Sequence, residues 1–300
     1  MSLVSLFKGK GPSGFGYGSS AEEVTEGLSL SGKTILITGC NSGLGLEMLR
    51  VLRLRGAHVV GTARTEAKAK EAGADTPLAC ELADPASVRG CVAAVKKSGV
   101  RLDALVCNAG IMALPKLEKA CGYELQFFTN HIGHFILTTG LLDALTDEGR
   151  VVILSSSAHS MAPKEGIQFD NLSGDKGYKP WTAYGQSKIA NLLFAKELGR
   201  RFEGTKKTAN AVHPGVIHTG LSRSMPGFQQ AAMSLVGPLF LKTVGQGAAT
   251  QTYVAVHPDA AGKNGEYFAD CNVAKPRADA RDRALAEKLY RESERIVAEL

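Results

Sequence analysis

The strongest constraint on the fold is an alternation that runs through most of the chain, in which short β-rich apolar runs are separated by segments of helix length. The runs are Thr34 to Thr38, His58 to Thr62, Leu105 to Cys107, Val151 to Leu154 and Ala209 to Val212. None alternates polar with apolar residues, as expected of strands covered by helices on both faces. That spacing is the signature of βαβ units in a parallel sheet. Right-handed crossovers then give an α/β fold with a single doubly wound sheet, whose ligands sit beyond the carboxyl ends of the strands. Residues 1–30 read as a Gly/Ser-rich extension with a short helical candidate at Ala21 to Thr25. Residues 31–300 contain no internal repeat, low-complexity block or Pro-rich linker and read as one domain.

Composition narrows the function classes. With 300 residues, 44% of them hydrophobic and 21% charged, the chain can close a full core and is neither a disordered tail nor a disulfide miniprotein. The longest apolar stretch, Ala231 to Leu241, is broken by Ser234, Gly237 and Pro238, so no transmembrane helix is expected. No signal-peptide apolar region is present, and the chain reads as cytoplasmic. Cys40, Cys80, Cys91, Cys107, Cys121 and Cys271 are scattered singly, without zinc spacing, and read as buried small hydrophobes. The formal charge of +6 is dispersed among acids rather than massed in a stripe, which argues against a nucleic-acid partner.

The run ending at Ile37 passes into Thr38-Gly39-Cys40-Asn41-Ser42-Gly43-Leu44-Gly45, followed by a helical pattern at Met48, Leu49 and Leu52. In this strand, turn and helix, Gly39 permits a tight exit, Gly43 lets backbone approach a pyrophosphate and Gly45 lets helix and sheet pack closely. Free amides at the helix start favour an anion. The same residues also suit an ordinary glycine-rich loop. Where an acid would grip the ribose 2′-hydroxyl of NAD, the second strand ends in Ala63-Arg64. Arg64 offers the planar fork that suits a 2′-phosphate, so NADP(H) is the expected cofactor. Glu81 and Leu82 lie in Cys80 to Asp84, which closes what would be a third strand ahead of the Leu105 run, and Asn108, Ala109 and Gly110 close that run as the fourth, where an adenine or ribose would lie.

Tyr184 and Lys188 stand at i and i+4 on one face of a helix that buries Ala190, Phe194 and Leu198. A phenol ordinarily titrates near ~10, and a neighbouring ammonium lowers that value, which makes Tyr184 a usable acid or base. Ser155, Ser156 and Ser157 leave the strand ending at Leu154, without the G-x-S-x-G elbow of a serine nucleophile. Asn130 lies on an apolar helical run expected to start near Tyr123. His131 and His134 have no third ligand at metal spacing, so no metal is assigned.

In chain order, T-G-C-N-S-G-L-G, C-N-A-G, T-N-H-I-G-H, L-S-S-S-A-H, Y-G-Q-S-K and H-P-G-V-I-H-T resemble the short-chain dehydrogenase/reductase family. The wording T-N-H-x-G-H-F, S-S-x-A-H and Y-x-x-S-K-x-A-N is similar to its retinol dehydrogenase-like branch, over about residues 20–299. The resemblance implies a Rossmann-type sheet and a tetrad of Asn130, Ser156, Tyr184 and Lys188. In that tetrad Tyr184 protonates a carbonyl, Ser156 orients it, Lys188 holds the ribose hydroxyls and Asn130 anchors a water. It also implies cofactor contacts from Asn41, Ser42, Leu44, Leu82, Asn108, Ala109, Gly110, Tyr184 and Lys188, and from Pro214, Gly215, Ile217 and Thr219 beside the nicotinamide. Glu81 stands where the family usually has Asp facing adenine, and Cys107 replaces the usual first Asn of its N-N-A-G.

Residues 221–244, rich in Phe228, Met233, Leu235, Leu239 and Phe240, correspond in the family to a substrate lid. So apolar a lid implies a lipophilic ketone, aldehyde or alcohol of retinoid, steroid or polyketide type. A core helix pair or contact with a membrane surface fits the same residues. Trp181 lines the substrate mouth or simply packs. The last helical pattern, Asp279 to Leu300, suits packing or a homodimer contact. The expected activity is NADP(H)-dependent hydride transfer. Ring reduction like that of protochlorophyllide reductases and a non-catalytic dinucleotide-sensing scaffold are the alternatives.

Overall fold

In the computed structural model, which describes residues 8–217 and 241–300, each of the five β-rich runs is a strand. These are β1 (Thr34–Thr38), β2 (His58–Ala63), β4 (Leu102–Cys107), β5 (Leu145–Leu154) and β6 (Thr208–His213), with β3 (Thr76–Ala79) between the second and third of them. Several begin earlier than their apolar stretch because polar residues also sit in the ladder or at its edge. Asp103, for example, accepts the Thr34 N–H at 2.9 Å. Two further strands, β7 (Tyr267–Ala269) and β8 (Asn272–Val273), are too short to show a hydrophobic pattern. The order across the sheet is β8-β7-β6-β5-β4-β1-β2-β3, and every pairing is parallel except that of β7 with β8. This is the doubly wound order, with its switch point between β1 and β4.

Helices α1 (Gly43–Leu54), α2 (Glu66–Glu71), α3 (Pro85–Lys97), α4 (Gly133–Gly140), α5 (Pro180–Arg201), α6 (Val244–Val256) and α7 (Arg283–Ala298) cover the sheet. Successive residues of a strand face opposite ways. Ile35 and Ile37 of β1 therefore join Met48, Leu52, Ala248 and Val254 on one face, while Leu36 joins Phe128, Phe135, Phe194 and Leu289 on the other. Ala21, Val24 and Leu30 of the N-terminal segment are buried in the first of these clusters, and the Phe15 ring packs edge-on against Tyr253 at 5.8 Å. Ala21 to Thr25 supplies only a 3-10 turn at Glu23–Thr25.

The helical run expected from Tyr123 begins at Leu125 instead. Glu124 caps it by accepting the Phe127 N–H at 2.7 Å, and Tyr123–Glu124 pairs with Lys119–Ala120 in a small hairpin. The last helix likewise starts at Arg283, where Asp282 accepts from the amides of Ala284 and Leu285. It packs on α5, with the Arg201 guanidinium 3.6 Å over the Tyr290 ring. Five of the six cysteines are buried, and Cys121 is exposed at the hairpin turn. No helix among the described residues is long and apolar enough to cross a membrane.

Candidate active site

The glycine turn leaves β1 at the switch point, held by a knot of hydrogen bonds between strand ends. Thr38 Oγ1 accepts the N–H groups of Asn108 and Ala109 at 2.9 Å each, and Asn108 Nδ2 donates to the Thr38 carbonyl at 2.9 Å. Gly39 and Gly43 have φ of 68° and 53°, which L side chains rarely adopt. A Cβ on Gly45 would lie 2.2 Å from the Gly39 carbonyl oxygen, so only glycine lets α1 start this close to the strand. Asn41 and Ser42 are exposed, and Ser42 makes no side-chain cap, which leaves the first amides of α1 available to an anion. Leu44 offers backbone alone, since its side chain is buried against Gly247.

Around this turn stand the other expected contacts. Arg64 is exposed at the end of β2, with no hydrogen bond or ion pair among the described residues. Glu81 is drawn in locally, because its carboxylate accepts the Ala83 N–H at 3.2 Å. Leu82 is buried, and its carbonyl lies against Gly133. A Cβ on Gly110 would meet Asn130 Oδ1 at 3.0 Å and Lys188 Nζ at 3.5 Å, so backbone here runs directly over the catalytic candidates. Pro214, Gly215 (φ 98°) and Ile217 follow β6. Thr219, and residues 221–240 of the expected lid, lie outside the described residues. Of the lid's remainder, Val244 already begins α6, and Lys242 is a buried anchor that its composition did not reveal. The Lys242 N–H donates to the Val216 carbonyl at 3.0 Å, and Lys242 Nζ pairs with Asp270 at 2.7 Å.

Helix α5 opens with Pro180 and presents Tyr184 and Lys188 on one face, with Lys188 Nζ 5.5 Å from the tyrosine ring centre. Gly185 brings that face close to the turn Ser157–Met161, since a Cβ there would lie 2.7 Å from the Ala158 carbonyl. The three serines divide the work. Ser155 Oγ donates to the Lys188 carbonyl at 2.8 Å, and the Ser157 N–H donates to His213 Nδ1 at 3.2 Å. Ser156 stands beside the Tyr184 hydroxyl, close enough to pull its pKa down. Asn130 lies in a π-turn, Phe128–Ile132, inserted ahead of α4, a local feature common at functional sites. Its amide is satisfied by the N–H and carbonyl of Ile111 and by Ser187 Oγ, all at 2.9 Å.

The electrostatics depart from the expected depression of the tyrosine. Burial pushes Tyr184 up to about 12, against a smaller opposing pull from Ser156, and burial pushes Lys188 down to about 8. Desolvation wins because both groups are almost fully enclosed and the ammonium is turned to the Leu154 carbonyl, 3.2 Å away, rather than to the phenol oxygen. A neutral phenol is therefore poised as a proton donor. Lys188 keeps two N–H donors without a protein acceptor among the described residues, and Asn108 Oδ1 is buried without a partner. Such unpaired polar groups, a glycine cradle and uncapped amides fit a phosphorylated, hydroxyl-bearing ligand such as a nicotinamide dinucleotide. His131 Nε2 bonds Ser293 Oγ at 2.9 Å, and among the described residues no group of three His, Cys, Asp or Glu is arranged to hold a metal.

The geometry agrees with comparisons to known proteins. A family model for short chain dehydrogenase matches residues 33–229. Short-chain dehydrogenase TIC 32 B, chloroplastic, of Brassica napus is 41% identical over 100% of both chains. Human retinol dehydrogenase 14 is 36% identical over 89% of this chain and 87% of its own. Among solved structures, an uncharacterised Mycobacterium paratuberculosis protein superposes with a TM-score of 0.73 at 32% identity, covering 94% of this chain and 98% of that one. A blue fluorescent protein from a metagenomic library, crystallised with NADPH, reaches 0.61 at 25% identity over 80% and 97%. By the extent of these matches and the convergence of strand-end glycines with Ser156, Tyr184 and Lys188, the chain belongs to the short-chain dehydrogenase/reductase family of oxidoreductases.

Proposed function

We propose that the protein uses NADP(H) to interconvert a lipophilic ketone or aldehyde with its alcohol. The observation that carries this reading is the meeting of Tyr184, Ser156 and Lys188 beside the glycine turn. A bound nicotinamide supplies or takes up the hydride at carbon. Tyr184, held as a neutral phenol, donates its proton to the substrate oxygen in reduction. Ser156 orients that oxygen, Lys188 would hold hydroxyl groups of the ribose through the N–H donors left without an acceptor among the described residues, and Asn130 shapes the wall beneath Gly110. A dinucleotide-sensing scaffold would need the glycine turn but not this convergence of side chains.

The substrate class is supported by exposed apolar side chains around the tyrosine. Trp181, 40% exposed, sets its ring edge-on to Tyr184 at 6.1 Å, and Met161, 52% exposed, ends the turn beneath Gly185. Relatives named for retinol, itself a lipophilic alcohol, point the same way. The direct test is a screen of hydrophobic aldehydes and ketones against NADPH oxidation. Turnover confined to small polar carbonyls would overturn the substrate class.

The cofactor preference rests on Arg64, whose exposed guanidinium at the end of β2 has no partner among the described residues. Arg64→Ala is expected to weaken NADPH binding by on the order of 10- to 100-fold, since a charge-assisted contact to the 2′-phosphate contributes about 1.5–3 kcal/mol. NADH binding should barely change. Titration of reduced-cofactor fluorescence reads both affinities, and equal wild-type affinities for the two cofactors would remove the role of Arg64.

A further inference from the structure

Two histidines that take no part in the proposed reaction each hold one residue of the tetrad, and by the same arrangement. His134, buried on α4, places Nδ1 3.0 Å from the main-chain carbonyl of Asn130 and Nε2 2.9 Å from Thr38 Oγ1. Thr38 Oγ1 already accepts two backbone N–H groups, which fill its lone pairs. Its proton must therefore be donated, and His134 Nε2 is nearer than the alternative, the Val106 carbonyl at 3.5 Å. With Nε2 accepting, the ring proton sits on Nδ1 and is donated to Asn130. His159, also buried, repeats the logic. Its Nε2 accepts the Arg277 backbone N–H at 3.2 Å, a group that can only donate, so Nδ1 carries the proton and donates it to the Ser156 carbonyl at 2.6 Å.

We propose that His134 and His159 are positioning residues. Each is a neutral ring whose Nδ1 proton is committed to the main-chain carbonyl of a tetrad residue by a protein donor that occupies Nε2. The assignment rests on the oxidoreductase reading above, because it gives the two carbonyls a catalytic reason to be held. Both carbonyls belong to irregular backbone. Asn130 sits in the π-turn, where the regular i→i+4 ladder is displaced, and Ser156 caps a single 3-10 turn. A ring donor therefore sets the local backbone, and with it the side chain, where helical bonding alone does not. Through Thr38 the first clamp is tied to the glycine turn. Through Arg277, whose guanidinium also binds the carbonyls of Ala162 and Pro163 at 2.9 and 2.6 Å, the second is tied to the segment after β8. Burial pushes His134 down to about 4 and His159 also below its ordinary value, which keeps both rings neutral.

The full chain tests this in two ways. Long-range nitrogen–proton correlation spectra near neutral pH should show both rings as the Nδ1–H tautomer, and finding either as Nε2–H overturns the assignment for that residue. Substitution gives the second test, because an asparagine amide nitrogen falls near the Nδ1 position whereas a glutamine amide extends to that of Nε2. His134→Asn and His159→Asn should therefore keep kcat close to wild type. His134→Gln and His159→Gln should lose on the order of 100-fold in kcat, the effect of a reacting group displaced by about 1 Å. NADPH affinity, read by energy transfer from Trp181, should stay the same throughout. Asparagine and glutamine variants with equal kcat would mean a merely structural role and would overturn the proposal. Absence of NADPH binding or turnover in the wild type would instead defeat the proposed function, and the tautomer measurement depends on neither.

Discussion

Tyr184→Phe is expected to reduce kcat by on the order of 100- to 10,000-fold, the span covered by general acid–base catalysis. Cofactor affinity should be left nearly unchanged. The substitution removes one oxygen and little else. The ring remains buried, its edge-on contact with Trp181 at 6.1 Å persists and the cradle built by Gly39, Gly43 and Gly45 is untouched. What disappears is the phenol hydroxyl beside Ser156, and with it the proton for the substrate oxygen. Stability should fall by no more than about 1 kcal/mol, the ordinary contribution of one hydrogen bond. Steady-state turnover with NADPH and an apolar aldehyde, beside a fluorescence titration of the cofactor, separates the two effects. A phenylalanine variant with wild-type turnover would dismiss Tyr184 as the acid.

Lys188→Met should have an equally large but divided effect, abolishing turnover while making the protein harder to unfold. The ammonium is buried with one carbonyl partner, and burial lowers its pKa from 10.5 to about 8. At neutral pH it is charged in both the folded and the unfolded chain, so the folded state carries the whole desolvation cost. Between about pH 8 and 10.5 the folded protein releases this proton while the unfolded chain retains it. Wild-type stability therefore rises relative to the methionine variant across that window, by about 3 kcal/mol. The comparison must be a difference between the two proteins. Buried thiols such as Cys40 and Cys107 are pushed upward and contribute the opposite slope to both. Urea unfolding at pH 7 and pH 10 reads the quantity, and a stability difference that does not shrink with pH would show that Lys188 carries no burial cost. Such a cost in the folded state fits a side chain retained for binding rather than for stability.

The residues that were readable from sequence are those whose chemistry is local. The five apolar runs were legible because strands buried on both faces leave uninterrupted hydrophobic stretches, whereas β7 and β8 escaped because two or three residues carry no period. Tyr184 and Lys188 were legible because four residues is one helical turn, and the structure does place them on one face. The start of the helical run at Leu125 was misplaced by two residues because the Glu124 cap, not periodicity, decides it. The histidines at 131 and 134 read only as an incomplete metal pair, since their partners are distant in the chain: Ser293 for one, Thr38 for the other. Lys242 was hidden for the same reason, its counter-charge Asp270 lying in the turn between β7 and β8.

Sequence alone determined the parallel sheet, the glycine turn and the helix face that carries the tyrosine and lysine, because each follows from spacing within a few residues. Only the tertiary structure decided which histidine nitrogens hold their protons, and that the phenol stands neutral at about 12 rather than acidified. Those properties depend on what encloses a group and which distant donor reaches it. Desolvation and hydrogen bonding between remote segments exist only once the chain has closed around the site.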